Sequence, residues 1–159
     1  MENERTDEQW MKLALGEAER AFELGETPVG AVIVRDGRII GRGGNRVESL
    51  RDPTAHAEIL AIGAAAEATG YERLVDATLY VTLEPCPMCA GAIVLARIPR
   101  LVFGAHDPKA GSCGSLYNIC GDPRLNHTVE VISGVCAEEA SSILKEFFRS
   151  LRGRGKIDN

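Results

Sequence analysis

The spacing of apolar and polar residues predicts a helix and then a hairpin at the start of the chain. Residues 7–24 repeat apolar side chains at helical intervals, and Gly25 follows them as a typical helix end. Two short apolar stretches at 29–34 and 38–41 then flank Asp36-Gly37, a pair that favours two-residue hairpin turns. We therefore expect one helix followed by two antiparallel strands.

Strands and helices are predicted to alternate over the rest of the chain. Asp52 and Pro53 are typical of an N-cap and a first helical residue, so a helix is predicted through the alanine-rich stretch 54–68 to Gly70. The remaining segments are strands at 77–83, 101–105 and 129–133, helices at 86–97 and 137–151, and a long loop at 106–125. This order predicts an α/β fold with three α/β/α layers around a central mixed five-stranded sheet.

Length and composition indicate one domain over residues 1–159, with a core from about 7 to 151 and a basic tail at 152–159. The chain is 45% hydrophobic and has no apolar run of the ~18 residues that a membrane span needs, so no membrane contact is expected. Its charged first residues lack the apolar core of an export signal. Five cysteines, two of them in a Cys-x-x-Cys, then favour metal or redox chemistry in a cytoplasmic protein.

The net charge of −5 argues against a generic nucleic-acid coat protein. Acidic residues predominate up to residue 96, whereas basic residues are concentrated near the C-terminus. The basic side chains there are Lys145, Arg149, Arg152, Arg154 and Lys156. On charge alone, a solvated helix end whose cations complement the helix dipole is favoured over a phosphate-binding surface. The second interpretation gains weight only if the substrate is a polynucleotide.

Candidate metal chemistry is concentrated in His56-Ala57-Glu58 and in the Cys86-x-x-Cys89 pair. One imidazole and two thiolates are three zinc ligands, which is the number typical of a catalytic site with one position left for water. Cysteines three residues apart on a helix face the same side, so one ion can reach both sulfurs. Both motifs are predicted at helix starts, where the dipole favours the thiolate form of cysteine.

Two other interpretations of the cysteines remain open from spacing alone. A strand followed by Cys-x-x-Cys at a helix start is also typical of thiol redox proteins. A closed four-cysteine zinc site would need Cys113 and Cys120, whose separation is poor for a zinc knuckle. His-x-Glu ahead of Pro-Cys-x-x-Cys favours the catalytic site, because this combination is the established signature of zinc-dependent nucleobase deaminases.

Glu58 is the candidate proton-transfer group. As a carboxylate that is not a ligand, it can take a proton from the attacking water and deliver it to the ring nitrogen and the departing amine. The alternative is a carboxylate that merely favours the first turn of a helix. The signature therefore predicts conversion of a ring amino group to an oxo group, but it does not select the base.

A wider resemblance rests on PVGAV at 28–32, Asn45, DPTAHAE at 52–58, TLEPCPMCAGA at 82–92, VFGA at 102–105 with Asp107, GSL at 114–116, Asn126-His127 and FFR at 147–149. These segments resemble the bacterial tRNA-specific adenosine deaminases, over about residues 7–150. The resemblance implies a cytidine-deaminase-like fold and a homodimer with one Zn²⁺ per chain. It also implies hydrolysis of adenosine to inosine at the wobble position of a tRNA anticodon loop.

The resemblance also assigns site residues. His56, Cys86 and Cys89 match the zinc ligands, and Glu58 matches the proton shuttle. The matches to substrate-binding positions are Asn45, Ala57, Asp107, Asn126 and Phe148. Each has a simpler alternative, because the two asparagines also suit turns, Asp107 suits a loop cap before Pro108, and Ala57 suits a helix interior. Ser112-Cys113 departs from the small pair, often Ala-Ala, that the family has in this loop.

Phe148 is supported by the helical periodicity as well. Phe147 continues the apolar stripe of the last helix, so it is predicted to be buried, whereas Phe148 is rotated by about 100° and is the better candidate to stack on an RNA base. Arg149, Arg152 and Arg154 are then candidate contacts to the RNA backbone. The rival functions are a deaminase of free guanine, cytosine or deoxycytidylate, and a non-enzymatic zinc- or RNA-binding module.

Overall fold

The computed structural model describes residues 4–153, in which five helices and five strands form one layered unit. The helices are α1 Asp7–Glu23, α2 Val47–Leu50, α3 Ala57–Thr69, α4 Pro87–Leu95 and α5 Ala137–Gly153. The strands are β1 Gly30–Arg35, β2 Arg38–Gly44, β3 Thr78–Leu83, β4 Arg100–Ala105 and β5 Glu130–Ile132. Of the predicted basic tail 152–159, Arg152 and Gly153 end α5, whereas residues 154–159, with Arg154, lie outside the described residues.

The strands form a single mixed sheet in the order β2-β1-β3-β4-β5. β1 pairs antiparallel with both β2 and β3, and the β3–β4 and β4–β5 pairs are parallel. Four strands therefore run in one direction, with β1 alone reversed, and the carboxyl ends of β2, β3, β4 and β5 share one edge of the sheet. The predicted mixed five-stranded sheet is confirmed.

Alternate residues of the central strands place their side chains in two apolar cores, one on each face of the sheet. Ile33, Leu79 and Phe103 point to the face that α3 and α4 cover, whereas Val32 and Tyr80 point to the face covered by α1. This alternation is what strands buried on both faces require, because successive side chains leave opposite sides of a sheet. The predicted α/β/α layering is therefore confirmed.

Glycines in β2 allow α3 to lie directly on the sheet. A Cβ atom added at Gly41 would lie 2.4 Å from the carbonyl oxygen of Ala61, and one added at Gly43 would lie 2.9 Å from that of Ala57. Any side chain at these two positions would push the helix away from the strand. The small residues on both partners therefore fix the height and position of the first turn of α3.

The structure corrects the predicted start of the second long helix. α3 begins at Ala57 with His56 as its N-cap, whereas Asp52 forms a separate turn in which its Oδ1 accepts the Thr54 amide at 2.9 Å. Asp-Pro suits both a helix start and a turn, so the local pattern could not distinguish them. The pattern also missed α2, which is only one turn long.

The remaining elements follow the prediction closely. Asp36 and Gly37 both have positive φ, at 54° and 73°, as a two-residue hairpin requires. Phe147 is buried and Phe148 is 40% exposed. Between residues 4 and 153, no helix combines the length and the apolar character needed to cross a membrane.

A charged cluster ties α1 to the centre of the sheet. The Arg100 guanidinium contacts both carboxylate oxygens of Asp7, at 2.9 and 2.7 Å, and the Tyr80 hydroxyl donates to Oδ1 at 2.7 Å. These hydrogen bonds, the one from Arg100 above all, hold the pKa of Asp7 below its ordinary value of 3.8. The folded state therefore gains stability from Asp7 only while its carboxyl group is ionised.

We predict that Asp7→Asn lowers the free energy of unfolding at pH 7 by about 1 kcal/mol, after allowance for the partial exposure of both groups. Because folding lowers the pKa of Asp7, its stabilisation is complete above its unfolded-state pKa and is lost as the pH falls through the folded-state pKa. The difference between the two proteins should therefore shrink towards zero in acid. Urea unfolding at several pH values measures it, with Glu19→Gln, an exposed carboxylate on the same helix, as the control. A pH-independent difference would contradict the assignment.

Candidate metal centre and substrate site

His56 and Cys86 occupy equivalent places in the fold, because each is the N-cap of a helix that packs on the same face of the sheet. His56 precedes α3 and Cys86 precedes α4, and neither side chain makes a capping hydrogen bond. Instead, the Nδ1 atom of His56 lies 3.5 Å from the sulfur of Cys86 and 3.5 Å from that of Cys89. The three side chains therefore converge on one point between two helix starts.

The geometry of this cluster fits a tetrahedral metal ion. Zinc bonds of about 2.3 Å to sulfur and about 2.05 Å to nitrogen, at a tetrahedral angle, separate the two atoms by about 3.6 Å. The potential ligand atoms of His56, Cys86 and Cys89 all lie within 4.8 Å of one another. Neither Cys113 nor Cys120 belongs to this group; both are buried in the core beneath α4. The cluster thus offers three ligands and leaves a fourth direction open.

The two thiols differ in their protonation. Hydrogen bonding from Cys89, assisted by His56, lowers the pKa of Cys86 to about 4 against the opposing effect of burial. Cys89 donates that hydrogen bond and is buried, so its pKa is raised. Of the two thiols, Cys86 is therefore the one favoured as a thiolate. Binding of a metal ion requires Cys89 to lose its proton as well.

Glu58 lies on the first turn of α3, beside the cluster, and is only 4% exposed. Burial is the main reason why its pKa is raised to about 7, and the neighbouring Cys86 thiolate raises it further. A carboxyl group with a pKa near neutrality can both accept and release a proton under physiological conditions. Its carboxyl group interacts with Cys86, His56 and Cys89, so it adjoins all three side chains of the cluster.

Asn45 supplies the helix cap that His56 cannot. It follows β2 directly, and its Oδ1 atom accepts the backbone amide of Ala57 at 2.8 Å. This contact connects Asn45 and Ala57, two of the predicted substrate-binding residues, at the start of α3. Within residues 4–153 the Nδ2 group of Asn45 makes no hydrogen bond, so its donors can serve another partner.

Asp107 begins the loop after β4, at the same edge of the sheet. One of its carboxylate oxygens accepts hydrogen bonds from the amides of Lys109 and Ala110, at 3.0 and 3.3 Å, so the simpler interpretation as a loop cap describes its contacts in this structure.

Glu84 accepts a hydrogen bond from the backbone amide of Asp107 at 2.9 Å. Burial acting alone raises the pKa of Glu84, but hydrogen bonds from Ser115 and from loop amides outweigh it and leave that pKa lowered. No role was predicted for Glu84, since a glutamate at the end of a strand belongs to no sequence pattern that indicates one.

Phe148 lines a basic surface groove of about 540 Å³. The other residues of the groove are Lys109, Leu144, Lys145, Arg149 and Arg152. The ring of Phe148 packs edge-on against that of Phe147, with centroids 5.5 Å apart, and the rest of it faces the groove. Lys109 was missed from the sequence, because it is far from the basic C-terminus along the chain and only the fold brings it beside α5.

In the described part of the chain, Asn126 makes no side-chain hydrogen bond or ion pair with the other candidate residues. It is exposed in the loop before β5. The next residue, His127, is fixed by a contact of 2.7 Å between its Nε2 atom and the Ile98 carbonyl oxygen. The structure therefore groups His56, Cys86, Cys89 and Glu58 closely, with Asn45 and Ala57 at the start of the same helix.

Comparisons with known proteins agree with this geometry. The family model of MafB19-like deaminases matches residues 5–152. A tRNA-specific adenosine deaminase of Bacillus subtilis is 53% identical over 150 residues, which are 94% of this chain and 93% of that protein. One from Haemophilus influenzae is 54% identical over 153 residues, 96% of this chain and 88% of its own.

Solved structures give the same fold and separate two branches by sequence. One from studies of A-to-I editing by tRNA:A34 deaminases at the wobble position of transfer RNA has a TM-score of 0.82 and 53% identity, over 86% of this chain and 99% of that chain. The guanine deaminase of Nitrosomonas europaea has a TM-score of 0.80 but only 25% identity, over 89% of this chain and 84% of that one. The chain therefore belongs to the tRNA-specific adenosine deaminase family, within the cytidine-deaminase-like fold.

Proposed function

We propose that this protein is a zinc-dependent enzyme that hydrolyses adenosine to inosine at the wobble position of a tRNA anticodon loop. The observation that carries the proposal is the 53% identity to a tRNA-specific adenosine deaminase over 94% of the chain. The geometry supports it independently, since a three-ligand cluster with an adjacent proton carrier is what hydrolytic deamination needs.

His56, Cys86 and Cys89 are proposed to hold one Zn²⁺ per chain. Their donor set of one nitrogen and two sulfurs is one that zinc prefers, and their spacing fits the ion. When bound, zinc supplies a Lewis acid that makes water more acidic at its open position. The chain itself supplies the orientation of the ligands, because two helix starts and the sheet edge hold them.

Glu58 is proposed to carry the proton. Its carboxylate accepts a proton from the water that attacks the C6 atom of adenine, and it donates that proton to N1 of the ring. It then takes the second proton from the hydroxyl group now on C6 and passes it to the departing amine, so that the C6–N bond breaks and ammonia leaves. The overall reaction consumes one water, and the product has an oxo group at C6. Burial of Glu58 keeps other water away from this transfer.

Asn45, Ala57, Asp107, Asn126 and Phe148 are proposed to bind the nucleotide. For Asn45 and Ala57 the support is their position beside Glu58, with the Asn45 Nδ2 donors still available. For Phe148 it is an exposed ring at the edge of a basic groove, where a base splayed out of an RNA loop can stack. For Asp107 and Asn126 the support is the sequence match; the turn contacts of Asp107 use its Oδ1 atom, and Asn126 is exposed in the loop before β5.

The basic groove is proposed to follow the RNA backbone. Arg149 and Arg152 line it together with Lys109 and Lys145, so four basic side chains share the groove with the ring of Phe148. Such a local cluster on a chain of net charge −5 suits a specific loop binder better than a coat for duplex RNA. Arg154 is proposed to extend this surface, on the strength of its sequence alone.

We also propose that the enzyme acts as a homodimer in the cytoplasm. α4 contains no charged residue, yet Met88 and Leu95 on it are 36% and 74% exposed, and such apolar surfaces typically mark interfaces. A tRNA substrate and five thiols that form no disulfide fit a reducing compartment.

Deamination of a free base is the rival function, because the guanine deaminase of Nitrosomonas europaea has almost the same fold similarity. We expect the purified protein to contain about one zinc per chain and to convert adenosine to inosine in an anticodon stem–loop RNA. Metal analysis and nucleoside analysis of the digested RNA measure the two quantities. Zinc-loaded protein that deaminates guanine or cytosine and leaves the RNA unchanged would overturn the proposal.

Glu58→Ala should keep the zinc while turnover falls by a factor of at least about 10²–10⁴, the usual contribution of a general acid–base group. Glu67→Ala, on the exposed side of the same helix, is the matched control and should leave turnover unchanged. Metal content and single-turnover rates are compared in the three proteins. Near-normal turnover of the Glu58 variant would show that another group carries the proton.

Replacing Arg149 and Arg152 together with Gln should weaken RNA binding and reduce the slope of log K against log salt by about 1 to 1.5, as expected when two phosphate contacts to a single strand are lost. Arg38→Gln, on the edge strand at the other side of the sheet, should leave the slope unchanged. Fluorescence titration at several salt concentrations provides the slopes. An unchanged slope in the double variant would identify these residues as a solvated helix end.

A further inference from the structure

Glu84 is a fully buried carboxylate at the end of β3, two residues before the first cysteine of the metal cluster. Its side chain is 0% exposed. Both of its oxygens accept hydrogen bonds, and all of these come from the loop after β4. The donors are the amides of Asp107, Cys113 and Ser115 at 2.9, 3.0 and 3.0 Å, and the Ser115 hydroxyl at 2.5 Å.

The loop is built around this carboxylate. Gly111 passes so close that a Cβ atom added there would lie 2.3 Å from the Glu84 carboxyl carbon. The backbone reinforces the contact, since Glu84 donates to the Ala105 carbonyl at 2.9 Å and Ser112 donates to that of Pro85 at 2.8 Å. The Glu84 side chain therefore fixes the 106–115 segment near its start, at Asp107, and near its end, at Cys113 and Ser115.

The same segment carries residues on the substrate side. Asp107 is proposed to bind the nucleotide, and Lys109 lines the basic groove beside Phe148. Cys86 lies only two residues after Glu84 in the chain, so Glu84 links the position of the loop to the position of the metal cluster. Ionic hydrogen bonds in a dry site are the strongest that a side chain can offer to backbone amides.

We propose that Glu84 is a positioning residue for RNA recognition: it holds the 106–115 loop at the height over the metal cluster at which Asp107 and Lys109 meet the substrate. This role rests on the proposed function, and it concerns binding of the RNA more than the chemical step. Within residues 4–153, the hydrogen bonds of the Glu84 side chain go to the loop and not to His56, Cys86 or Cys89.

Glu84→Gln is the decisive variant, because it preserves shape and replaces one acceptor oxygen by a donor that faces donors. We expect it to keep the zinc and a turnover number within about threefold of wild type. KM and the dissociation constant for an anticodon stem–loop RNA should both rise about tenfold. Amide hydrogen exchange should accelerate at Asp107, Cys113 and Ser115 and remain unchanged in β3.

Two further variants, of which Ser115→Ala is the milder, keep the proposal testable if Glu84→Gln folds poorly. Ser115→Ala removes one donor and should raise the dissociation constant by about two- to threefold. Gly111→Ala pushes the loop away from an intact Glu84 and should reproduce the effect of Glu84→Gln. Asp7→Asn is the control: it removes a hydrogen-bonded carboxylate remote from the loop, and RNA binding should be unchanged.

The outcomes separate this inference from the proposed function. Unchanged RNA binding and loop exchange in Glu84→Gln, or loss of zinc with unchanged RNA binding, would overturn the positioning role. Wild-type protein that binds the stem–loop without deaminating it, while Glu84→Gln binds it more weakly, would overturn the proposed reaction alone. Wild-type protein that does not bind the RNA would overturn both.

Discussion

The contact between the backbone of β2 and the first two turns of α3 determines the rest of the site. Gly41 and Gly43 on the strand meet Ala57 and Ala61 on the helix with no side chain between them. That close approach fixes His56, which must meet two sulfurs from a different helix within a few tenths of an ångström. Packing of this density has little freedom to adjust, so the ligand position is set by the core.

The direction of the strands explains why separate segments of the chain meet at one place. Because β1 alone is reversed, the carboxyl ends of β2, β3 and β4 lie at one edge of the sheet. Asn45 follows the first, Glu84 and Cys86 follow the second, and Asp107 follows the third. Ligand sites of open α/β sheets typically lie at such an edge. The strand ends therefore position both the metal cluster and the candidate substrate-binding residues.

The sequence was sufficient for the parts of the molecule that depend on local pattern. The hairpin at Asp36-Gly37, the alternating burial of the strands and the clustering of His56, Cys86 and Cys89 each have a periodicity or a spacing that can be recognised. Roles that arise from tertiary contact could not be predicted. Glu84 accepts from residues more than twenty positions away, and Lys109 joins a groove formed by another element. The start of α3 was misplaced because its cap comes from Asn45 and not from the preceding residue.

The helices that carry the metal cluster, α3 and α4, begin with N-cap residues that do not stabilise a helix. A serine, threonine or aspartate at the N-cap of α3 or α4 would each be worth about 1 kcal/mol to the fold. His56 and Cys86 provide no such cap, since their side chains turn towards each other. Asn45 replaces the cap at α3, and α4 begins without a side-chain cap, so the sequence accepts a less stable start of α4 in exchange for a cluster that can bind a metal ion. Substitutions selected for thermal stability at His56 and Cys86 would abolish the cluster.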